Sequence, residues 1–177
     1  QDGNKGLIFL LMMYQRIVSS SSKAILTSIQ KRLNNLENLK KLSKINNFND
    51  DEDFFEKDGE EQIEILEKNL LMLLRPELIE KEIEILKNCI NLAKKCVIGQ
   101  QDSKLKMTFE IIDEIKRREK ITNLKMIIFT EFKVTQNYIR EELEKIGYKT
   151  AIINGDLSLD KKMEQKKYFY DEADFLI

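Results

Sequence analysis

Two short polar stretches, each at the end of an apolar run, are the parts of this sequence that could bind a ligand. "FTEF" occupies 129–132 after "LKMII", and "INGDLS" occupies 153–158 after "TAI". The carboxyl ends of parallel strands meet at one edge of an α/β sheet, and ligands bind there. The first amides of the following helices, with the hydroxyls of Thr130 and Ser158, suit an anion. We therefore expect two adjacent strand ends that each hold a phosphate.

The other residues of these stretches support binding rather than catalysis. Gly155 permits a tight turn and a close approach of the backbone to a ligand, and Ser158 can cap the next helix. A purely structural role for both residues, as turn and cap, stays open. Glu131, Asp156 and Asp160 supply carboxylates, but none of them is paired with a nucleophile or a metal ligand. We predict no catalytic residue.

The composition excludes several classes of site. The 177 residues include no His, which removes His-based acid–base catalysis, catalytic triads and most zinc sites. Neither G-x-x-x-x-G-K-[ST] nor G-x-G-x-x-G occurs, so no glycine-rich loop could hold a nucleoside triphosphate. With 30 basic and 31 acidic residues, the chain has no bulk attraction for nucleic acid, and any such contact must be local.

The elements that would position these stretches follow from the hydrophobic period. Apolar residues recur at helical spacing through most of the first 119 residues, and an acidic linker at 46–62 interrupts them. The period then changes to short apolar runs that alternate with two helices, which indicates a parallel sheet. The first run fits a strand that is buried on both faces. The predicted helices are 5–18, 25–45, 60–74, 77–98, 103–119, 134–147 and 158–172, and the strands are 124–130, 149–155 and 173–177.

Basic residues alternate with the apolar stripe of the second helix. Lys31, Arg32, Lys40, Lys41 and Lys44 lie outside that stripe. They indicate either a solvated face or a face that contacts a phosphate backbone.

The cysteines and the apolar N-terminal stretch indicate a reduced, cytoplasmic protein. Cys89 and Cys96 would lie ~10 Å apart on one helix, too far for a disulfide, so we predict two buried thiols. "GLIFLLMMY" at 6–14 is too short to span a bilayer and predicts a buried helix. We expect no membrane partner.

The last predicted strand ends the chain without a covering helix. A bare parallel strand would leave one sheet face open, so we expect the chain to be part of a longer protein. The expected domains are a helical region, 1–119, and a truncated α/β region, 120–177.

Several motifs together resemble one family. "MIIFTEFKVTQNYIREELEKIGYKTAIINGDLSLDKK" resembles the start of the second RecA-like lobe of superfamily-two helicases, above all the Swi/Snf-like, RapA-type DNA translocases. The matching features are F-T-E-F followed by Thr135, and a G-x-x-S turn from Gly155 to Ser158. Upstream, "YQRIVSSSSKAI" and "DSKLKMTFEII" are similar to the Q-R helix and the D-x-K-L element of that family. Lys162 stands where the family carries Arg.

The resemblance implies a RecA-like half-lobe of the P-loop NTPase type, preceded by a helical protrusion and brace. The parent would hydrolyse ATP with magnesium between two lobes and move along nucleic acid, with duplex DNA and its own first lobe as partners. It implies that Thr130, Gly155 and Ser158 touch the phosphate backbone, within a binding set completed by Glu131, Thr135 and Asn154. The ATP-binding motifs lie outside this chain, so we expect no cofactor and no catalysis from it alone.

Two other functions stay open at this point. The chain could be a helical adaptor with a small α/β cap that binds a protein. It could also be a phosphate-binding enzyme of the nucleotide-sugar type.

Overall fold

The computed structural model describes residues 2–41, 63, 65, 67, 76–98, 102–120 and 124–177. The described chain is mostly helical, with one small parallel sheet of three strands. It divides into two compact units, Gln1–Gln101 and Asp102–Ile177, whereas the sequence suggested a boundary after residue 119. The predicted linker at 46–62, most of the helix at 60–74 and the expected cap Gly99 lie outside the described residues.

Within its described ranges, the N-terminal unit contains the long helices α1 (Asp2–Ser20), α2 (Ser22–Lys41) and α3 (Pro76–Ile98). Ser21 Oγ accepts a hydrogen bond from the Ala24 amide over 3.1 Å, which caps α2 as the serine run predicts. Pro76 is the first residue of α3, where the absence of an amide proton costs nothing. The helical residues 63, 65 and 67 fit the predicted helix between α2 and α3.

The core of this unit confirms the helical periodicity. Leu26, Ile29 and Leu36 of α2 pack against Leu86 and Ile90 of α3. In α1, by contrast, only one face is covered. Leu10, Met13 and Ile17 are buried, but Ile8, Leu11, Met12 and Val18 are 58%, 59%, 54% and 59% exposed. The prediction of a buried helix is therefore wrong for the outer face of α1. None of the described helices is long and apolar enough to cross a bilayer.

Arg32 is buried, which corrects its assignment to a solvated or phosphate-binding face. Its side chain donates from Nε and Nη2 to the two carboxylate oxygens of Glu82, over 2.8 and 3.2 Å. Nη1 also reaches the Glu67 carbonyl oxygen, at 3.5 Å. The guanidinium group turns toward α3 because a carboxylate there matches its two-pronged geometry.

The cysteines are both free, as expected, but their burial was predicted wrongly. Cys89 is exposed and Cys96 is partly exposed. The side of α3 that packs on α2 carries Ile90 and Val97, and each cysteine precedes one of these residues. Neighbouring helical positions point about 100° apart, so both thiols turn away from that contact.

The C-terminal unit begins with α4 (Ser103–Glu119), β1 (Met126–Ile127) and α5 (Lys133–Lys145), followed by β2 (Thr150–Ala151), α6 (Leu159–Asp171) and β3 (Phe175–Leu176). Asp102 caps α4 by accepting from the amides of Lys104 and Leu105. Gly147 adopts φ +94° just after α5, a conformation that side chains with a Cβ rarely adopt. It therefore ends that helix as predicted.

All strands are parallel, but the strand order is β1-β3-β2. Phe175 pairs in register with Met126 on one side and Thr150 on the other. The ends of β1 and β2 are thus separated by β3, so the expectation that these two ends are adjacent is wrong. The order depends on long-range pairing, which no local pattern encodes.

The two faces of the sheet carry different helices. Phe175 packs with Ile112 of α4 and Leu143 of α5. Leu176, which follows and points to the opposite face, packs in a cluster with Phe169 of α6. Leu176 pairs with Ile127, yet Ile127 is 52% exposed because α6 does not cover β1. Phe129 is 91% exposed, and the predicted burial of both faces of the first strand is therefore wrong.

Candidate nucleic-acid interface

Gln136 is the residue that joins the strand ends. Its side chain lies on α5 and only 4% of the residue is exposed. Nε2 donates to the Ile177 carbonyl oxygen over 2.7 Å and to the Ile153 carbonyl oxygen over 3.0 Å. The first carbonyl follows β3 and the second follows β2. One buried amide group therefore fixes the ends of two neighbouring strands.

Asn154 extends this network into the loop after β2. Its Nδ2 donates to Gln136 Oε1 over 2.8 Å, and its Oδ1 accepts from the Asp156 amide over 3.2 Å. The second bond is the local turn that Asn favours at such positions. Asn154 therefore stabilises the loop, because both the nitrogen and the oxygen of its side-chain amide are hydrogen-bonded within the protein.

A second connection ties the same loop to α5 at the surface. Lys133 Nζ donates to Asp156 Oδ1 over 2.6 Å. The lysine side chain is 22% exposed and the aspartate side chain is 64% exposed. The loop after β2 and the start of α5 are thus held together by one buried amide pair and one exposed ion pair.

Gly155 and Ser158 line the outer side of this loop. Gly155 is exposed, has no positive φ, and leaves open space where a Cβ would stand. The turn itself therefore does not require glycine. Ser158 is the N-cap of α6, and its Oγ accepts from the Lys161 amide over 3.4 Å. The capping role is confirmed, and the exposed Ser158 side chain remains at the surface.

The three predicted residues near β1 lie at different depths. Thr130 is partly exposed and Glu131 is exposed, and both lie between β1 and α5. Thr135 lies within α5 and is only 4% exposed. The structure therefore presents Thr130, Glu131, Gly155 and Ser158 at the surface, places Asn154 in the hydrogen-bonded network, and buries Thr135.

The charges around the strand ends are balanced. These segments carry equal numbers of carboxylates and lysines: Glu131, Asp156 and Asp160, and Lys133, Lys161 and Lys162. Asp156 offsets the charge of Lys133, which leaves little net attraction for an anion. Any oxyanion held here must be bound through backbone amides, hydroxyl groups and the dipoles of α5 and α6.

Tyr138 lies on α5, the helix that follows the loop after β1. Burial, then the charges of Asp102 and Glu142, raise the pKa of Tyr138 to about 12. Its hydroxyl therefore stays protonated and cannot act as a base near neutral pH. Among the described residues, no group of three or more cysteine and acidic side chains could hold a metal ion.

Sequence reasoning missed Gln136 and Lys133. Phe132, Gln136, Ile139 and Leu143 follow one another at spacings of four, three and four, which is a helical stripe. A polar residue inside an otherwise apolar stripe indicates a buried group with partners. That signal was present at Gln136. The pairing of Lys133 with Asp156 had no equivalent signal.

Comparison with protein-family models, curated proteins and solved structures yields no significant match to this chain.

Proposed function

We propose that this chain is part of an ATP-dependent, Swi/Snf-like nucleic-acid translocase, in which it contributes contacts to backbone phosphates. Thr130, Gly155 and Ser158 touch the phosphates, Glu131 lines the same edge, and Asn154 and Thr135 support the loops from inside. The partners are duplex DNA and the first RecA-like lobe of the parent protein. The cytoplasm is the expected location.

The observation that carries this proposal is the arrangement of the loops after β1 and β2 at the carboxyl edge of one parallel sheet. Gln136 and Lys133 hold the second loop against the start of α5. Two helix N-termini, those of α5 and α6, begin at this edge. Backbone amides at helix N-termini bind phosphates without base specificity, as a translocase requires.

The strand order argues against the hypothesis of a phosphate-binding enzyme of the nucleotide-sugar type. In the two common dinucleotide and flavin-type orders, β1 and β2 are neighbours. Here β3 lies between them. The order of these three strands therefore differs from both of those folds.

ATP and magnesium belong, in this proposal, to other parts of the parent. The chain carries no glycine-rich phosphate loop, and the carboxylate of Asp156 already pairs with Lys133. These residues do not fit a magnesium nucleotide, so we derive no catalytic step from them. We expect purified chain to show no ATP hydrolysis above background.

Binding of a short duplex DNA at several salt concentrations tests the phosphate contacts. Thr130→Glu and Ser158→Asp each add a negative charge at the loops, and Asp preserves the helix cap. We expect each variant to bind roughly tenfold more weakly at low salt, with a smaller slope of affinity against salt.

Thr108→Glu is the matched control, because it adds the same charge on α4, where the Thr108 hydroxyl donates to the Lys104 carbonyl oxygen. We expect the affinity of Thr108→Glu for the duplex to equal that of the unsubstituted chain. Equal losses of affinity for all three variants would show that these loops do not contact the phosphates. Unchanged affinity for Thr130→Glu and Ser158→Asp would show the same.

A protein-binding adaptor remains a second candidate because of one observation. Leu78, Ile85 and Leu92 recur every seven residues on α3 and are 49%, 61% and 63% exposed. This spacing produces an apolar stripe along one side of a helix, which suits a partner helix. Ile85→Lys would leave DNA binding intact and abolish partner capture if the adaptor reading is correct.

A further inference from the structure

The outer face of α1 exposes large apolar residues over about three turns of the helix. More than half of the surface of each of these apolar residues is exposed, whereas the opposite side of α1 lies in the core. A helix that is apolar on opposite sides is normally covered on both, and exposed apolar surfaces of this kind mark sites of association. The outer face consists of Ile8, Leu11, Met12, Gln15 and Val18.

The spacing of this face is that of a coiled-coil seam. Ile8, Leu11, Gln15 and Val18 follow one another at intervals of three, four and three residues, which are the a and d positions of a heptad. The seam is short, but α1 is already held as a helix by its packing on α2. A partner helix therefore has to match the seam without folding it, and a short seam of this kind gives a weak complex.

The outer face carries no charge that would repel a second copy of itself. Arg16 is the only charged residue between Ile8 and Ser19. It is rotated about 100° from Gln15 around the helix, and its Nη1 donates to Met13 Sδ over 3.7 Å. Two identical outer faces can therefore meet without the cost of like charges placed side by side.

The exposed stripe of α3 differs in this respect. Lys81 and Lys95 are exposed and lie beside Ile85 and Leu92. A second copy of that stripe would bring lysines together, which opposes self-association. Charge therefore favours α1 over α3 as the surface on which two copies of the chain meet.

Gln15 distinguishes between the two possible directions of a paired helix. In a parallel pair, each a position faces the same a position of the other helix, so Gln15 meets its own counterpart. The two side-chain amides can then donate to and accept from each other. In an antiparallel pair, Gln15 would face an apolar d position, and a buried amide without a partner is costly.

We infer that a second copy of this chain docks on the outer face of α1, as a parallel and in-register pair of α1 helices. The contact is isologous, so the assembly closes at two copies. A single polar residue at an a position is also what fixes register in coiled coils, at some cost in affinity. The inference does not rest on the proposed translocase function, because the loops of that proposal belong to the C-terminal unit.

Sedimentation equilibrium of the full chain tests the association, from roughly 1 μM to roughly 300 μM. We expect the average mass to rise from that of one chain toward that of two. Leu11→Lys places a charge in the seam and should weaken association at least about tenfold. Leu92→Lys is the matched control, because it introduces the same charge on α3 at a residue that is 63% exposed, against 59% for Leu11. It should associate like the unsubstituted chain.

A charge exchange at position 15 tests the parallel register. Gln15→Lys and Gln15→Glu should each associate at least about tenfold more weakly alone, because like charges meet at the a position. An equal mixture of the two variants should recover association, because opposite charges then face each other. An antiparallel pair would show no such recovery. Circular dichroism confirms that each variant keeps its helices, and Gln15→Lys carries the test of the face if Leu11→Lys does not.

A mass of one chain at every concentration would overturn the inference and assign the outer face to another occupant, such as the first RecA-like lobe of the parent. Equal weakening by Leu11→Lys and Leu92→Lys, or by neither, would also overturn it, as would growth beyond two copies. Association without recovery in the mixture would refute the parallel pair. None of these outcomes changes the binding of duplex DNA by Thr130→Glu and Ser158→Asp, so the two proposals fail separately.

Discussion

Asn154 Nδ2 donates to Gln136 Oε1 over 2.8 Å, and this bond fastens the loop after β2 to helix α5. The two protons on Gln136 Nε2 are used as well, on the carbonyl oxygens of Ile153 and Ile177. A buried amide that is fully paired specifies one arrangement of its neighbours, because any other arrangement leaves a polar group unsatisfied. The geometry of the proposed interface therefore depends on a residue that does not itself face the ligand.

Replacement of Gln136 by Met should destabilise the C-terminal unit. Met preserves the volume but leaves two carbonyl oxygens and the Asn154 amide without their partner, at a cost of about 2–4 kcal/mol. Gln136→Glu should cost more at neutral pH, since its carboxylate would face two carbonyl oxygens, and should recover partly in acid. Urea unfolding measures both. Asn137→Ala, at the exposed neighbouring position, should change the free energy of unfolding little. A similar loss of stability there would mean that the effect does not come from the hydrogen bonds of Gln136.

Glu67 should make the stability of the N-terminal unit fall as the pH rises from about 4.5 to about 8. Burial, then the nearby charge of Glu82, raises its pKa from 4.5 to about 8. Among the described residues, its other charged and titratable contacts are Tyr14, whose hydroxyl donates to Glu67 Oε1, and Arg32, which reaches its carbonyl oxygen. The fold favours the protonated carboxyl. Its stabilisation is therefore complete below pH 4.5 and is lost as pH rises through 8, by up to about 1.4 kcal/mol per pH unit.

Glu67→Gln mimics the protonated form and should abolish this dependence. Urea unfolding between pH 5 and pH 9, values chosen to span the raised pKa, compares it with the parent chain. The variant should be the more stable protein at the alkaline end and nearly equal at the acidic end. Glu84→Gln, on the exposed side of α3, should keep the pH dependence of the parent. A parent chain whose stability does not fall toward pH 9 would contradict the prediction.

The helices were predictable because their signals are local. The apolar stripe of Ile83, Leu86 and Ile90 lies within one short stretch of sequence, and it packs in the core as predicted. The caps at Asp102 and Ser158 depend on amides two or three residues away. Such contacts form wherever the local sequence allows them.

The features that escaped prediction all depend on distant partners. Arg32 is buried because Glu82 lies opposite it, fifty residues further along the chain. Gln136 is buried because its amide meets the end of β3, forty-one residues away. The position of β3 between β1 and β2 is likewise a matter of long-range pairing. A sequence pattern shows that a residue is polar but not which group will satisfy it.

The ion pair between Arg32 and Glu82 should show strong coupling. Arg32→Met alone leaves the Glu82 carboxylate facing an apolar contact, and we expect a loss of about 3 kcal/mol. Glu82→Leu alone should cost a similar amount, because it leaves a guanidinium group that is 7% exposed without its partner. The double variant should cost less than either single one, as apolar replacements of buried pairs often do. Additive losses in urea unfolding would show that the two side chains act independently.

The exposed ion pair between Lys133 and Asp156 should limit binding of nucleic acid. Asp156→Asn removes one negative charge beside Lys133 and Gly155, so affinity for a short duplex DNA should rise about three- to tenfold at low salt. The slope of affinity against salt should steepen by up to about one unit, the contribution of one added phosphate contact. Lys133→Met should not produce this gain.

Asp171→Asn is the control for this charge change. It removes the same charge from the opposite end of α6, where Asp171 is exposed. If the interface lies at the carboxyl edge of the sheet, Asp171→Asn should leave the salt slope unchanged, because screening beyond ~10 Å weakens its influence. Equal gains from Asp156→Asn and Asp171→Asn would show that the DNA responds only to net charge, and would place the contact elsewhere than at the strand ends.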